Sequence, residues 1–308
     1  MLEPNRGLLS RLLISNDGRL RPALRVLLYL LILGVVVVLT LGLGGALLTG
    51  LGLAQPRTLS GAGGLFLIAL YLLSVLAATW IARRFLDRRS LVSLGFGRYR
   101  GWLGDVAFGL ALGLFLMTLV FLIELGAGWL TFEGFRWQQV SMAAVVGLLA
   151  SSIASGLVVA VNEETISRGY VLQNLEEAWG TLAAVGVSSA FFALLHALNP
   201  SVGPLPLFNL AVAGVFLAAA YLITRSLWLP IALHFSWNFF QGTLYGFPVS
   251  GGTQDGIIVA SFGGPAVVTG GAFGPEGGLL GLAVMLLGIG MIYLWGRLRH
   301  SRSGDRRM

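Results

Sequence analysis

The chain contains no cysteine and no lysine, and it is poor in charge of either sign. The absence of cysteine excludes disulfide bonds, thiolate metal sites and a cysteine nucleophile. Only 11% of the residues are charged and 56% are hydrophobic, whereas about a quarter of a soluble domain is charged. With a mean hydropathy of +0.85, this composition excludes an ordinary soluble domain and predicts a membrane protein with several spans.

Long apolar runs predict an all-α, polytopic transmembrane helix bundle. A helix needs about 20 apolar residues to cross the hydrocarbon core of a bilayer. The polar and basic N-terminal arm and the length of the first apolar run argue against a cleavable signal peptide. About eight spans are predicted, at roughly 24–48, 64–82, 104–130, 142–165, 181–198, 205–223, 228–246 and 277–296.

The net charge of +7 comes from twenty arginines, whose placement predicts membrane topology rather than nucleic-acid binding. Eighteen of them lie in segments that share one face of an eight-span bundle, and only Arg57 and Arg136 lie on the other. The positive-inside rule therefore predicts that both termini are cytoplasmic. The use of arginine without lysine, with abundant Gly, Ala and Leu, is typical of a G+C-rich prokaryote, so we expect a multi-pass protein of the cell (inner) membrane.

Ionisable side chains within the apolar segments mark the candidate site. Glu163 and Glu164 end the apolar run that begins at Met142, and Arg168 follows about one helical turn later. A charged side chain at bilayer depth is costly, so such residues are functional candidates by default. Arg168 is within reach of either glutamate on the same helix and is expected to act as their counter-charge.

Two of the three histidines lie in later apolar segments. His196 is about as far beyond Gly180, where a turn is expected, as Glu163 is before it, which predicts similar depths for the two side chains. His234 and Asn238 are four residues apart and therefore share one helix face. We expect these side chains to surround a common cavity within the membrane.

This set of side chains matches peptide-bond hydrolysis by an activated water. A glutamate in a poorly solvated site can accept a proton near neutral pH, and a neighbouring imidazole can orient the water. A second imidazole and a carboxamide can donate hydrogen bonds to the oxyanion that develops.

The motifs also resemble those of a known family. Glu163-Glu164-x-x-x-Arg168-Gly169, Phe192-x-x-x-His196 and His234-x-x-x-Asn238 are similar in order to the three motifs of the CPBP family, which comprises Rce1-type CAAX prenyl proteases and Abi-type bacteriocin-processing membrane proteins. The resemblance spans about residues 142–246, and the Gly270–Gly277 stretch is similar to bacterial members. Ser167 departs from the aromatic residue that many members have before the arginine.

The resemblance implies a glutamate-dependent intramembrane endopeptidase with a CAAX-protease-like core. Glu163 and His196 would activate water, His234 and Asn238 would form the oxyanion hole, and Glu164 and Arg168 would support them. The implied organisation is an N-terminal arm with three spans over residues 1–140, a catalytic core over 141–246, and a Gly-rich outer loop, last span and basic tail over 247–308. The expected partners are membrane lipid and a membrane-associated peptide or protein substrate, without nucleic acid.

Other interpretations stay open at this level. A transporter also places ionisable residues at mid-membrane, and a non-catalytic immunity or scaffold protein would keep the same fold. Taken singly, the glutamates with Arg168 would form a structural ion pair, His196 a buried core histidine, and Asn238 an interhelical contact. Glu124, which matches no motif, is predicted to be a polar contact inside the bundle or to line the cavity.

The sequence favours water activation without a metal, so no cofactor is expected. The alternative is a divalent metal such as zinc, bound by Glu163, His196 and His234, because catalytic zinc commonly has three protein ligands and one water. His-Glu-x-x-His, Gly-x-Ser-x-Gly and Gly-x-Gly-Asp motifs are missing from the sequence, which disfavours zincins, nucleophile-elbow hydrolases and intramembrane aspartyl proteases.

Overall fold

The computed structural model of the chain describes residues 13–15, 17–52 and 61–304, so Arg57 of the topology prediction lies outside the described residues. Most of the described chain is helical, which confirms the predicted fold class. The α-helices of this part are α1 (Pro22–Gly50), α2 (Gly61–Ile81), α3 (Trp102–Gly126), α4 (Met142–Glu164), α5 (Leu172–Trp179), α6 (Thr181–Leu195), α7 (Pro204–Thr224), α8 (Trp228–Asn238), α9 (Ala266–Thr269) and α10 (Leu279–Gly304).

Wider and tighter helical turns interrupt or link these helices. π-Helical turns follow α2, α4 and α8 directly, at Ala82–Leu86, Thr165–Val171 and Phe239–Leu244. Short 3-10 turns lie at Leu91–Leu94, Arg136–Gln138, Gly271–Phe273 and Pro275–Gly277.

Among the described residues, six helical segments are long and apolar enough to cross a membrane. On α1, large apolar side chains such as Leu31, Val38 and Leu43 are 64%, 70% and 71% exposed. Apolar surface of this extent is compatible with lipid rather than water. The chain is therefore a multi-pass membrane protein. The segments are Pro22–Gly50, Gly63–Leu86, Trp102–Gly126, Met142–Trp179, Pro204–Thr224 and Leu279–Arg299.

Three of the eight predicted spans differ from the observed helices in ways that affect the candidate site. The span predicted at 142–165 continues through its π-helical turn and α5 as one segment of 38 residues. The span predicted at 181–198 is an apolar helix that ends at Leu195, before the prolines at 200 and 204. The span predicted at 228–246 consists of 11 α-helical residues followed by a six-residue π-helical turn.

The chain forms two compact units, which do not follow the sequence in blocks. The first comprises residues 1–97 and 161–187, and the second comprises residues 98–160 and 188–308. The predicted division into segments 1–140, 141–246 and 247–308 concerns functional segments rather than compactness and stays a prediction.

In the first unit, a buried ion network surrounds Asp87. The Asp87 carboxylate accepts hydrogen bonds from Arg25 of α1 at 3.0 Å and from Arg83 at 2.8 Å. It also accepts one from the Tyr170 hydroxyl at 3.2 Å. The Tyr170 ring stacks on Tyr29 of α1 with the centroids 4.0 Å apart. Since buried ions are tolerated only when they are paired, this network fixes the turn that carries Tyr170.

In the second unit, helix α3 packs directly against the backbone of α8. A Cβ atom at Gly109 would lie 2.9 Å from the Leu229 carbonyl oxygen, and one at Gly113 would lie 2.8 Å from the Trp237 nitrogen. The Ser236 hydroxyl donates a hydrogen bond of 2.6 Å to the carbonyl oxygen of residue 110 in α3. Small residues spaced by four allow this close approach of membrane helices.

A small antiparallel sheet in the second unit accompanies the helices. Strands β1 (Leu130–Phe135) and β2 (Ile258–Phe262) pair, with a bulge between Phe132 and Gly134. The Gly-rich segment 247–276, which is predicted as an outer loop, contains regular structure: the patch at 257–262 contributes β2, and the 266–268 patch lies in α9.

Candidate active site

The two adjacent glutamates have different surroundings. Glu164 is fully buried and forms an ion pair of 2.9 Å with Arg168, one turn further along the chain. Glu163 is partly exposed. Consecutive residues of a helix point about 100° apart, as 3.6 residues per turn require. Arg168 pairs with Glu164 and also lies within electrostatic range of Glu163, so the two glutamates differ in exposure rather than in their access to this cation.

The helix changes form directly after the glutamates. Residues Thr165–Val171 form a π-helical turn in which every residue is buried. The Thr165 hydroxyl donates to the Val161 carbonyl oxygen at 2.6 Å, and the Asn174 amide donates to the Tyr170 carbonyl oxygen at 3.1 Å. π-Helical turns within α-helices are frequent at functional sites. Ser167, the departure from the family pattern, is buried in this turn.

Two polar residues near Glu163 were missed by the sequence analysis. Tyr71 of α2 lies within electrostatic range of the Glu163 carboxylate. Asn162 is fully buried, and its side-chain amide makes no hydrogen bond within the part of the chain that the structure describes. An isolated tyrosine and an asparagine beside a glutamate pair give no motif, so the sequence offered no signal beyond their polarity.

His196 lies in a turn, directly after the end of α6. Its ring nitrogen Nδ1 is 2.9 Å from the Phe192 carbonyl oxygen. A carbonyl oxygen can only accept, so Nδ1 carries the hydrogen and donates it. In the neutral ring, Nε2 is then the basic nitrogen, which can accept a proton. The backbone N–H of Asn199 donates to the His196 carbonyl oxygen at 3.0 Å and closes the turn.

Both histidines contact the ring of Phe192. The ring centroid of Phe192 is 4.9 Å from that of His196 and 6.2 Å from that of His234. His234 is 7% exposed on α8, and Asn238 is partly exposed at the last residue of that helix. The second unit therefore brings His196 and His234 into contact with one phenylalanine ring, and Asn238 follows His234 by about one helical turn.

The glutamate group and the histidine group lie in different units. Glu163, Glu164 and Arg168 belong to the first unit, and the two histidines and Asn238 belong to the second. Joint action of the two groups stays a prediction, as does the similar depth expected for Glu163 and His196.

Two further predictions from the sequence concern Glu124 and a bound metal ion. Glu124 is 1% exposed in α3, and its Oε1 has no hydrogen-bond partner among the described residues. Within either unit taken by itself, the described residues include no three His, Asp or Glu side chains grouped so that they could hold a metal ion. The proposed set of Glu163, His196 and His234 draws on both units and stays a prediction.

The apolar helices define a polytopic membrane protein, and its Glu, His and Asn motifs follow one another along the middle of the chain. Residues 145–240 match the family model described as type II CAAX prenyl endopeptidase, Rce1-like. This segment is an Rce1-like domain of the CPBP type, which confirms the family that the motifs indicated, and it contains all six predicted site residues. No curated protein and no solved structure gives a significant match to the chain.

Proposed function

We propose that this protein is an intramembrane endopeptidase that hydrolyses peptide bonds of membrane-associated proteins or peptides. The observation that carries the proposal is the occurrence of the complete Glu, His, His and Asn set within the Rce1-like domain. The different surroundings of the two glutamates support Glu163 as the base, because Glu164 is fully buried in its ion pair with Arg168, whereas Glu163 is partly exposed.

The proposed reaction begins with a water held between Glu163 and Nε2 of His196. Glu163 takes a proton from the water as its oxygen attacks the carbonyl carbon of the scissile bond. The negative charge that forms on the carbonyl oxygen accepts hydrogen bonds from His234 and Asn238. The C–N bond then breaks, and the proton held by Glu163 passes to the amine, which leaves a new carboxyl group and a new amino terminus.

A bound divalent metal is the alternative to direct water activation. The donor set fits zinc, because Glu163, His196 and His234 supply the oxygen and nitrogen ligands that it takes in catalytic sites. The hydrogen bond from Nδ1 of His196 to a carbonyl oxygen is equally the orientation that a metal-bound histidine requires, so it favours neither alternative. A metal would supply a more acidic water. Retained activity after treatment with a chelator supports the metal-free mechanism, and loss with recovery on adding zinc contradicts it.

The decisive test compares the two glutamates. Glu163→Gln keeps the size of the side chain but removes the proton acceptor, so we expect proteolysis to be abolished while the protein stays folded. Glu164→Gln is the matched control in the adjacent position, and we expect it to act through stability, because it disrupts the buried pair with Arg168.

Substrates are found by comparing cells that carry the wild-type chain with cells that carry Glu163→Gln. N-terminal proteomics of the membrane fraction should show new amino termini only with the wild type. Wild-type turnover by Glu163→Gln would exclude the proposed mechanism. A membrane protein that binds peptides in both forms but cleaves them in neither would instead support the scaffold alternative.

A further inference from the structure

The Gly-rich loop, residues 247–276, holds a buried carboxylate that the proposed reaction does not use. Glu276 is 5% exposed and follows Gly274 and Pro275. Its Oε1 accepts a hydrogen bond of 2.6 Å from the backbone N–H of Ser250. Its Oε2 accepts a hydrogen bond from Nε2 of Gln241. Both oxygens of Glu276 are therefore engaged by different parts of the second unit.

One of these hydrogen bonds leads to the turn that carries His196. Ser250, whose N–H binds Glu276, has its carbonyl oxygen bound by the Asn199 side-chain amide at 2.9 Å. Asn199 closes the His196 turn through its own N–H. The next residue of the loop, Gly251, has φ +82°, and a Cβ atom there would lie 1.9 Å from the Pro200 carbonyl oxygen. The loop thus lies directly on the turn after His196.

The other hydrogen bond leads to the helix that carries His234 and Asn238. Gln241 lies in the π-helical turn that follows Asn238 directly. Besides its hydrogen bond to Glu276, the Gln241 side chain donates a hydrogen bond of 2.6 Å to the Pro248 carbonyl oxygen. Its own carbonyl oxygen accepts from the N–H of Phe247 at 3.0 Å. The start of the loop is therefore fixed to the end of this helix.

The backbone around Glu276 is built for this arrangement. Ser250 has φ +48°, in the left-handed region that a serine rarely adopts. Such a conformation persists only where the surroundings hold it in place, and the Glu276 carboxylate binds the N–H of this residue. Gly274 has φ +110°, and a Cβ atom there would lie 2.9 Å from both the Gln241 Nε2 and the Glu276 Oε2. Any side chain at 274 would therefore collide with the hydrogen bond between Gln241 and Glu276.

We propose that Glu276 is a positioning residue of the active site, which joins the turn after His196 to the helix end after Asn238 through the Gly-rich loop. The inference rests on the proposed function for its catalytic meaning, but the link itself is a property of the fold. His196 acts on the water, and His234 and Asn238 act on the oxyanion. One buried carboxylate, that of Glu276, then sets the positions of both groups.

The test uses two variants that cut the link at different points, and one control. Glu276→Gln replaces one accepting oxygen with an NH2 donor, so that either the Ser250 N–H or the Gln241 amide loses its acceptor. Asn199→Ala removes only the bond between the loop and the His196 turn. Asp255→Asn is the matched control, because Asp255 lies in the same loop with 74% of its side chain exposed.

Glu276→Gln and Asn199→Ala should each lower kcat, by up to about 10²-fold for a displacement near 1 Å, with little change in KM. The double variant should lose less than the product of the two effects, since both cut one link. Hydrogen exchange should accelerate in peptides covering 196–203 and 247–252 and not in the rest of the chain. Asp255→Asn should match the wild type in each measurement.

Unchanged kcat and unchanged exchange in Glu276→Gln would overturn the proposal, as would exchange that rises evenly over the whole chain, because the role would then be general stability. If Glu276→Gln does not fold, Asn199→Ala decides by the same two measurements. Proteolysis by Glu163→Gln, or none by the wild type, contradicts the proposed function and leaves exchange to judge the link. An active wild type, an inactive Glu163→Gln and a fully active Glu276→Gln contradict the positioning role of Glu276 and leave the proposed function standing.

Discussion

At the scale of single residues, neighbouring side chains of the same type have different roles because of where the helix directs them. Glu164 is neutralised by Arg168 in a buried pair, whereas Glu163 is partly exposed. The residue types and spacing allowed Arg168 to pair with either glutamate. Only the resemblance to a family favoured Glu163 as the base, since the direction of each side chain depends on how the helix is packed.

The first residue-scale prediction concerns the oxyanion hole. His234→Ala and Asn238→Ala each remove one hydrogen-bond donor from the charge that develops on the carbonyl oxygen. Losing one such donor typically lowers kcat by on the order of 10²–10³, so we expect a large fall in kcat with little change in KM. The double variant should lose less than the product of the two effects, because both donors serve one charge.

Steady-state kinetics on the purified variants measures kcat and KM, and thermal unfolding checks that each variant is folded. An effect on KM alone in both variants would assign the two residues to substrate binding instead.

The second residue-scale prediction concerns pH and stability. Burial raises the pKa of Glu276 from its ordinary 4.5 to about 7, and hydrogen bonds from Ser250 and Gln241 lower it only in part. Between these two values, the folded state binds a proton that the unfolded state has released. The contribution of this group to stability is therefore full below about pH 4.5 and is lost as the pH rises towards 7.

Unfolding temperatures of the wild type and Glu276→Gln, measured in detergent from pH 4 to 8 in about unit steps, isolate this group from all others. The stability of the wild type relative to the variant should fall as the pH rises. A difference that stays constant with pH would show that Glu276 does not change its proton in this range.

At the scale of elements, the lengths of the apolar runs in the sequence predicted most of the helices but not the residues at which they end. The runs for α1, α3, α7 and α10 exceed what a span needs, so composition alone located them. The π-helical turn at Thr165–Val171 has no local sequence signal, and the contacts that its residues make, such as that of Tyr170 with Asp87, join parts of the chain far apart in sequence. His196 was placed inside a helix because its flanking residues are apolar, although the helix ends at Leu195.

The packing of α3 on α8 was also missed, although the sequence contains the signal. Gly109 and Gly113 are spaced by four residues, which is the pattern of closely packed membrane helices. The sequence does not say which helix packs against them. Pairing β1 with β2 likewise required the fold, because the two strands are far apart along the chain and the second one follows a Gly-rich stretch.

The element-scale prediction tests whether this packing positions the oxyanion residues. A Cβ atom at Gly113 would lie 2.6 Å from the Ser236 Cβ and 2.8 Å from the Trp237 nitrogen. Gly113→Ala must therefore displace α8, at a cost of about 1–3 kcal/mol in the free energy of unfolding, and should lower kcat because His234 and Asn238 lie on that helix.

Gly147→Ala is the control, because nothing lies within 4 Å of its added Cβ and alanine is the better helix former. Thermal unfolding and kcat of both variants are compared with the wild type. Equal stability of Gly113→Ala and Gly147→Ala would contradict the close contact between α3 and α8.

At the scale of the whole molecule, composition and arginine placement predicted a multi-pass protein, but the arginines do more than set topology. Arg25 and Arg83 are 0% and 2% exposed and bind Asp87, and Arg168 is 1% exposed and binds Glu164. Paired and buried charges contribute little free positive charge at a membrane face. The topology signal therefore depends on the remaining exposed arginines, and the sequence could not separate the two groups because pairing is a property of the fold.

The prediction at this scale is the sidedness of the chain. The positive-inside rule places the N-terminal arm in the cytoplasm, and an odd number of predicted spans then places the Gly-rich loop outside. The absence of cysteine makes single-cysteine labelling direct, because there is no background thiol. Asp17→Cys reports the arm and Asp255→Cys reports the loop, and both positions have exposed side chains.

In intact cells, a membrane-impermeant maleimide should label Asp255→Cys and leave Asp17→Cys unlabelled until the membrane is permeabilised. Arg98→Cys, on an exposed position of the basic segment before α3, should behave as Asp17→Cys does, since the same rule places it in the cytoplasm. Labelling of Asp17→Cys and Arg98→Cys in intact cells, with Asp255→Cys protected, would reverse the topology. Labelling of all three only after permeabilisation would instead place the Gly-rich loop on the cytoplasmic face with the termini, because an even number of crossings would then separate it from the N-terminal arm.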